Sequence, residues 1–482
     1  MNSYFKMNRL MIAGAVSLMA LSACNVTEIP KSKMKAAKGM ASDSGYDRWT
    51  ATKEGQSGVD RAWVKRFNDS KLERLVAEAV SRNPDMRVAA ENVRQAQQAA
   101  YLAGASSRVM ANVGLDGNRR KNLFVGFPFG GSQTSNNFGL NLNVNWEPDL
   151  WGRVRAGVSA SLADMQAVEQ ERRAAETSLA GNVCKAWFTL CEANEQLGLA
   201  SEGHALRLKT LEAVRDRFEL ALQDEGGGAS ELRLAETDVA TSLALKAQRQ
   251  GEVEAAQRRV ELLAGRYPAA KLKGRLKLPP IPRRPPAGLP SELLMRRPDI
   301  LAAERRYAGA GMRIKEAKRA VFPMIKLTGS TGTTSDSLSD ILSSSFGVWS
   351  IGSNISQNIL TGGQVKGEIA MRSSRDRQNL AQLQSTVLKA FGEVESALAA
   401  DKWLARRITE MRKAQKLADA AAGSAEEDYA LGNVTLLTVL TAQNRKIEIA
   451  SQVALLRRLQ LENRVNLHLA LGGEFRTQKH GK

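Results

Sequence analysis

The chain has 482 residues, enough for two or three globular domains, with 25% charged and only 5% aromatic residues. Ala, Leu, Arg, Glu and Gln dominate, which suits long helices. A net charge of +19 would suit nucleic acid, but the export signal described next places the chain outside the cytoplasm and excludes that partner; a solvated surface or an anion-favouring interior accounts for the charge instead.

Lys6 and Arg9 give a positive start and Leu10 to Ala20 an apolar stretch, the form of an export signal over residues 1–23. It ends Leu21-Ser22-Ala23-Cys24, which resembles a bacterial lipobox and implies cleavage before Cys24 and a covalent lipid on its thiol. An ordinary cleaved signal with a chance cysteine is the alternative. Asn25 follows, not the aspartate that often signals inner-membrane retention in such lipoproteins. No later stretch approaches the roughly 18 consecutive apolar residues of a spanning helix, so any membrane crossing must use strands. Residues 24–69 are polar and Lys-rich and read as a tether.

A first repeat is expected over residues 70–278. A helix covers 70–81, and a longer one starts at Pro84, a residue suited to a first helical position, and runs to about Ser107. Strands follow at 109–117 and 137–146. The second has the cleanest alternation in the chain: Phe138, Leu140, Leu142, Val144 and Trp146 on one face, and Gly139, Asn141, Asn143 and Asn145 on the other. About ten residues with one apolar and one small polar face is what a tilted membrane strand needs. A half-buried strand of a soluble sheet alternates too, but usually sets charges against its core face. The tip from Arg119 to Ser135 reads as a loop. A helix then runs from Gly152 to about Gln223, with an irregularity near Gly198 to Gly203. Seventy residues of helix span about 100 Å, far more than a globule needs. Leu211, Val214, Phe218 and Ala221 step at helical spacing, as do Val253, Ala256, Val260 and Leu263, which predicts coiled-coil pairing. Gly226, Gly227 and Gly228 break this helix, and Ser230 can N-cap the return one.

A Pro-rich linker at residues 279–290 leads to a second repeat over 291–473 and a basic tail, 474–482. Helix, strands near 324–332 and 347–357, a long helix to about Tyr429, a tip at Leu431-Gly432-Asn433, and a return helix N-capped by Thr435 repeat the first scheme. Short matches support the duplication: Asn83-Pro84-Asp85 against Arg297-Pro298-Asp299 at an offset of 214, and Gly152-Arg153-Val154 against Gly363-Gln364-Val365 at an offset of 211. Cys184 and Cys191 lie seven apart on one predicted helix, about 10 Å, too far to bridge. The three histidines show no metal-ligand spacing. No nucleophile–base or carboxylate constellation points to an enzyme.

The Arg296-Arg297-Pro298-Asp299-Ile300 stretch, its Asn-Pro-Asp counterpart and the duplicated plan resemble the TolC-like outer-membrane efflux factors, in particular the lipoprotein (NodT-like) branch of drug-efflux systems. The resemblance covers roughly residues 20–475. It implies a mainly α fold with a membrane β part, in which a homotrimer builds a twelve-stranded β-barrel continued by a twelve-helix periplasmic α-barrel. It implies lipid against the apolar face that includes Phe138 and Leu142. It implies a passive exit duct for small molecules, served by a periplasmic adaptor and an inner-membrane pump of the resistance-nodulation-division type, with no cofactor beyond the lipid on Cys24. A protein-secretion exit and a non-conducting structural lipoprotein are the other readings. Tyr429 to Gly432 matches the family's tip motif Tyr-x-x-Gly. Where members often carry acidic gate residues this chain has Thr438 and Thr441, and Arg233 stands where an aspartate is frequent in the first half. A purely apolar gate through Leu436, Leu437 or Leu440 is the alternative.

Overall fold

The computed structural model describes residues 30–33, 49–51, 63–124, 131–223, 228–287 and 290–473. Helices α1 (Ser70–Arg82) and α2 (Pro84–Ala103) lead to strands β1 (Met110–Phe124) and β2 (Gly131–Trp146), then to the long helix α3 (Arg153–Gln223) and the return helix α4 (Ala229–Leu263). The second half follows the same order. A single turn α5 (Pro290–Leu293) precedes α6 (Pro298–Arg319), β3 (Met324–Ser335), β4 (Gly347–Ser356), α7 (Gln364–Ala430) and α8 (Leu436–Ala470). Among the described residues no helix is long and apolar enough to cross a membrane.

α3 and α7 run for 71 and 67 residues without a break. The irregularity expected at Gly198 to Gly203 is therefore absent: a glycine inside a helix costs only about 1 kcal/mol relative to alanine, which the rest of so long a helix absorbs. The strands of the first hairpin are longer than the alternation indicates. Their ladder continues from Asn118↔Asn137 to Phe124↔Gly131, through the stretch read as a loop. Backbone pairing does not need side-chain alternation once the register is set by the apolar part.

The chain forms two compact units, each drawing on both halves. One comprises residues 30–33, Asn92–Val168 and Ala302–Leu383; the other comprises the described parts of 34–91, Glu169–Leu301 and 384–482. The first holds a four-stranded antiparallel sheet in the order β1-β2-β3-β4, so β1 and β4 are open edges among the described residues. The piece 30–33 is tied to α6, where the Glu304 carboxylate accepts from the Lys33 backbone N–H at 2.5 Å and from the Ser32 hydroxyl at 3.1 Å.

The second unit has the main apolar core. Trp63, Phe67, Leu72, Trp187, Phe188, Leu461 and Val465 are buried in it. Asp69 starts α1 by accepting from the Lys71 and Leu72 N–H groups, at 3.1 and 3.2 Å. Its second oxygen accepts from Trp187 Nε1 at 3.0 Å, so the cap also fixes the largest core side chain of α3. Cys184 and Cys191 are free and buried in the same core. Burial pushes both thiols up, Cys191 to about 12, which keeps them unreactive.

Both halves close this unit with one device. The residue before the helix-starting proline holds the last carbonyl of the return helix. Asn83 donates through Nδ2 to the Leu263 carbonyl at 3.0 Å. Arg297 donates through Nη1 to the Ala470 carbonyl at 3.2 Å. Each return helix stops at a left-handed glycine, Gly265 at φ +72° and Gly472 at φ +72°. A Cβ on Gly265 would lie 3.0 Å from the Arg82 carbonyl oxygen, and one on Gly472 3.1 Å from Arg296, so the close approach itself requires glycine. Arg297 also forms a fork on Asp299, at 2.6 and 3.0 Å, and an ion pair with Glu393 at 2.6 Å. Burial works against its charge, but these carboxylates more than offset that and raise its pKa. Replacing Arg297 by alanine leaves the Ala470 carbonyl unpaired and should cost about 2–4 kcal/mol. A lysine cannot form the fork, so Arg297→Lys should recover little. Thermal melts of the purified protein test this, and an Arg297→Lys variant as stable as the unmodified chain would contradict it.

Candidate functional site

The register of the sheet sorts its side chains into two chemistries, because directly paired residues share a face. Val113, Leu142, Thr331 and Trp349 form one cross-strand row, and Ala111, Val144, Gly329 and Ile351 the next. Phe138, Leu140 and Trp146 continue this face along β2. The opposite face carries Asn112, Asn143, Ser330 and Ser350 in one row, with Asn141 and Asp116 beside it. Its polar groups pair among themselves: Ser330 and Ser350 hydroxyls lie 2.8 Å apart, and Asn141 donates to Asp116 at 3.1 Å. The apolar face is exposed. Val113 is 70% and Ile351 78% accessible in the single chain. Beyond Phe138, toward Gly131, β2 carries only Gly and polar residues. The apolar run is thus about 9–11 residues long, the length of a tilted membrane strand.

The same unit has a feature that the sequence reading missed. Every junction between helix and strand carries an exposed pair of large apolar residues: Tyr101-Leu102 in the last turn of α2, Leu150-Trp151 before α3, Val321-Phe322 after α6, and Ile359-Leu360 before α7. Trp151 stacks on Phe322 with ring centroids 5.2 Å apart and donates through Nε1 to the Pro323 carbonyl at 2.8 Å. Aromatic and apolar groups at this level are what a membrane–water interface favours. The signal was present as four apolar doublets flanking four strands, but each doublet alone looks like an ordinary chain break.

The second candidate is the set of helix tips in the other unit. Val214 of α3, Ala235 of α4, Tyr429 of α7 and Leu436, Val439 and Leu440 of α8 form one buried cluster. Tyr429 packs there under the Arg217 guanidinium, 4.5 Å from its ring centroid. Gly432 takes φ +80° and ends α7, with the Asn433 N–H donating to the Asp428 carbonyl at 2.8 Å. Leu436 and Leu440 are thus core side chains of the chain itself and are not available as an apolar gate; Leu437 is exposed. Thr438 and Thr441 are exposed and line an open groove of about 500 Å³ with Leu437, Ala418 and Arg445. Arg233 is exposed on α4, with no carboxylate partner among the described residues.

Two capping expectations need correction. Ser230 is not an N-cap: α4 begins at Ala229, and the Gly228 carbonyl accepts from the Glu231 and Leu232 N–H groups. Glycine fills that place because the cap needs only a non-helical backbone there, here φ −79° and ψ 55°. Thr435 does stand at the N-cap of α8, but its hydroxyl meets the Thr438 hydroxyl at 3.2 Å and not a backbone N–H. Gly226, Gly227 and Cys24 lie outside the described residues.

Comparison with known proteins agrees with this arrangement. The outer membrane efflux protein family matches residues 75–266 and 289–473. The pyoverdine export outer membrane protein OpmQ of Pseudomonas putida is 29% identical over 477 residues, covering 94% of this chain and 95% of that one. The probable outer membrane lipoprotein SilC of Salmonella typhimurium is 27% identical over 423 residues, covering 86% and 88%. Among solved structures, the open state of the MtrE outer membrane channel of Neisseria gonorrhoeae matches with a TM-score of 0.79 and 27% identity, over 92% of this chain and 97% of that one. The expected fold, two like halves of paired strands and long helices, is the fold of these channels. The chain belongs to the outer membrane efflux protein family: it is an outer-membrane efflux channel, a transport duct and not an enzyme.

Proposed function

We propose that three copies of the chain close their sheets into one twelve-stranded barrel, continued by a tunnel of twelve helices, and that this duct is lipid-anchored through Cys24. One observation carries the reading: an open four-stranded sheet with one apolar and one polar face, the apolar one left exposed in the single chain. Unpaired strand edges are not tolerated in lipid, and four strands are too few to close a barrel, the small ones having about eight. Further copies pair β1 with β4, turn the apolar face to lipid and enclose the polar face around water. The duct has no energy source of its own, so an inner-membrane pump and a periplasmic adaptor drive it, and the cargo is small molecules. OpmQ is named for pyoverdine export and SilC as a lipoprotein, which support both parts of the reading. A stepwise ion conductance from the purified protein in a planar bilayer is expected; a protein that reaches the outer membrane but never conducts would be a structural scaffold instead.

The facing of the strands gives a sharper test. An arginine on the lipid face of a membrane barrel costs roughly 2–4 kcal/mol at mid-depth. Leu142→Arg should therefore reduce the assembled protein recovered from outer membranes, whereas Asn143→Arg should assemble normally and change conductance. The reverse pattern would invert the facing.

The tips carry the gate. Thr438 and Thr441 supply no charge, and Arg445 shares their groove. Three copies of Arg233 around a narrow axis attract anions and repel cations. The channel should be only weakly cation-selective. Thr438→Asp should introduce block by polyvalent cations from the periplasmic side, and Arg233→Ala should move reversal potentials under a salt gradient towards cations. Strong cation selectivity untouched by both substitutions would sink the gate assignment.

For the anchor, mass spectrometry of the mature N-terminus should find Cys24 acylated. Several acyl chains hold a protein firmly where one does not. An unmodified peptide running through Cys24, from membrane-extracted protein, would remove it.

A further inference from the structure

The sheet-bearing unit contains a cavity of about 660 Å³ lined by Lys31, Lys33, Arg155, Lys315 and Arg319, together with small and apolar residues and no carboxylate. Two of the five cations are balanced from outside it: Lys33 pairs with Asp376 at 3.3 Å, and Arg155 with Asp149 at 3.5 Å. Arg319 donates to the Gly152 carbonyl at 2.7 Å, a neutral partner. Lys31 and Lys315 are exposed, with no partner among the described residues. Glu316 is directed elsewhere, packed over Gly157. The cavity therefore keeps a surplus of three positive charges.

Its place in the chain says what it faces. Arg155 follows the end of β2 by nine residues, and Arg319 precedes β3 by five. The cavity is thus built at the strand–helix junctions, beside the exposed Leu150-Trp151 and Val321-Phe322 pairs. Lys31 lies seven residues beyond Cys24, on the segment that Glu304 ties to α6. An apolar rim for acyl chains and a cationic recess beside it match the two ends of one molecule.

The geometry points to a binding site for the headgroup of an anionic phospholipid in the inner leaflet of the outer membrane, with Lys31, Lys315 and Arg319 holding the phosphate and Trp151 and Phe322 against the acyl chains. This rests on the barrel reading given above, because that reading puts the junctions at the periplasmic interface. Basic recesses beside membrane segments recognise anionic headgroups in this way, and each cation near an anionic surface is worth about five-fold in binding.

Native mass spectrometry of the full-length, delipidated protein in detergent tests it, with phosphatidylglycerol and phosphatidylethanolamine as probes at equal concentration. Phosphatidylglycerol should bind at least about ten-fold more tightly, and Lys31→Ala with Lys315→Ala should reduce its binding by about 25-fold, two cations' worth. Arg319 is left in place because its bond to Gly152 is structural. Equal binding of the two lipids overturns the site without any variant, and so does an unchanged affinity in the double variant. Displacement of phosphatidylglycerol by millimolar inorganic phosphate overturns the lipid assignment in favour of a free-anion site. Bilayer conductance recorded on the same samples separates the two levels: conducting protein without lipid preference loses only this site, whereas protein that forms no channel loses the barrel reading.

Discussion

The hydrogen bond from a pre-proline side chain to the last carbonyl of a return helix fixes the ends of the helical unit. A helix terminus leaves its final carbonyls unpaired; α8 stops among the buried residues Ala470 to Gly473, whereas α4 stops nearer the surface. Asn83 and Arg297 take one each. The proline that follows is what makes this possible. It breaks the preceding helix, so the side chain before it sits at a chain bend and not on a helix face, and its own missing N–H costs nothing at the first helical position. The left-handed glycine that ends each return helix then lets a second backbone segment pass so close that a Cβ on the glycine would lie about 3 Å from it. Asparagine and arginine differ in charge and size, yet both reach a carbonyl. Only the arginine draws in Asp299 and Glu393, so the second half carries the stronger version of the clamp.

This explains why the motif stands out in the sequence while its role does not. Arg297-Pro298-Asp299 is visible because proline and its neighbours obey strict backbone rules. That Arg297 bonds Ala470, 173 residues away, cannot be read from local spacing. The strands were legible for a related reason. Alternation of Phe138, Leu140, Leu142, Val144 and Trp146 has one structural interpretation, and the observed register places all five on one face. The upper part of the same hairpin was not legible, because Asn118 to Asn122 pair in the ladder without any apolar–polar alternation in the sequence. Ser230 was misread because a serine near a helix start is a good cap on average, whereas Gly228 holds the position.

The tips show where residue type stops being informative. Leu436, Leu437 and Leu440 are alike in sequence. The 3.6-residue period turns Leu436 and Leu440 into the cluster with Val214 and Tyr429, and turns Leu437 out beside Thr438 and Thr441. A helix pattern fixes which residues share a face; it does not say which face meets the neighbouring helix and which meets a channel. The same ambiguity hid the apolar pairs at the four junctions and the basic recess, whose members come from residues 31–33, α3 and α6 and become one feature only in the fold.

The two units differ in what they need from outside. The helical unit buries Trp63, Trp187, Phe188 and Leu461 completely and holds the start of α1 and the ends of α4 and α8 with its own side chains, while Leu388, Trp403 and Leu417 of α7 stay exposed. The sheet has the opposite character. Its polar face is internally paired, but Val113, Trp349, Ile351 and Ile355 are exposed, and both edge strands lack a further strand among the described residues. In water such a face would drive aggregation; in lipid the face is satisfied and only the edges remain unpaired. In the proposed barrel, lipid and neighbouring copies therefore satisfy different parts of the same sheet, lipid the side chains and the copies the backbone, and neither can replace the other. Insertion and oligomerisation of that proposed barrel are for that reason one coupled step in physical terms.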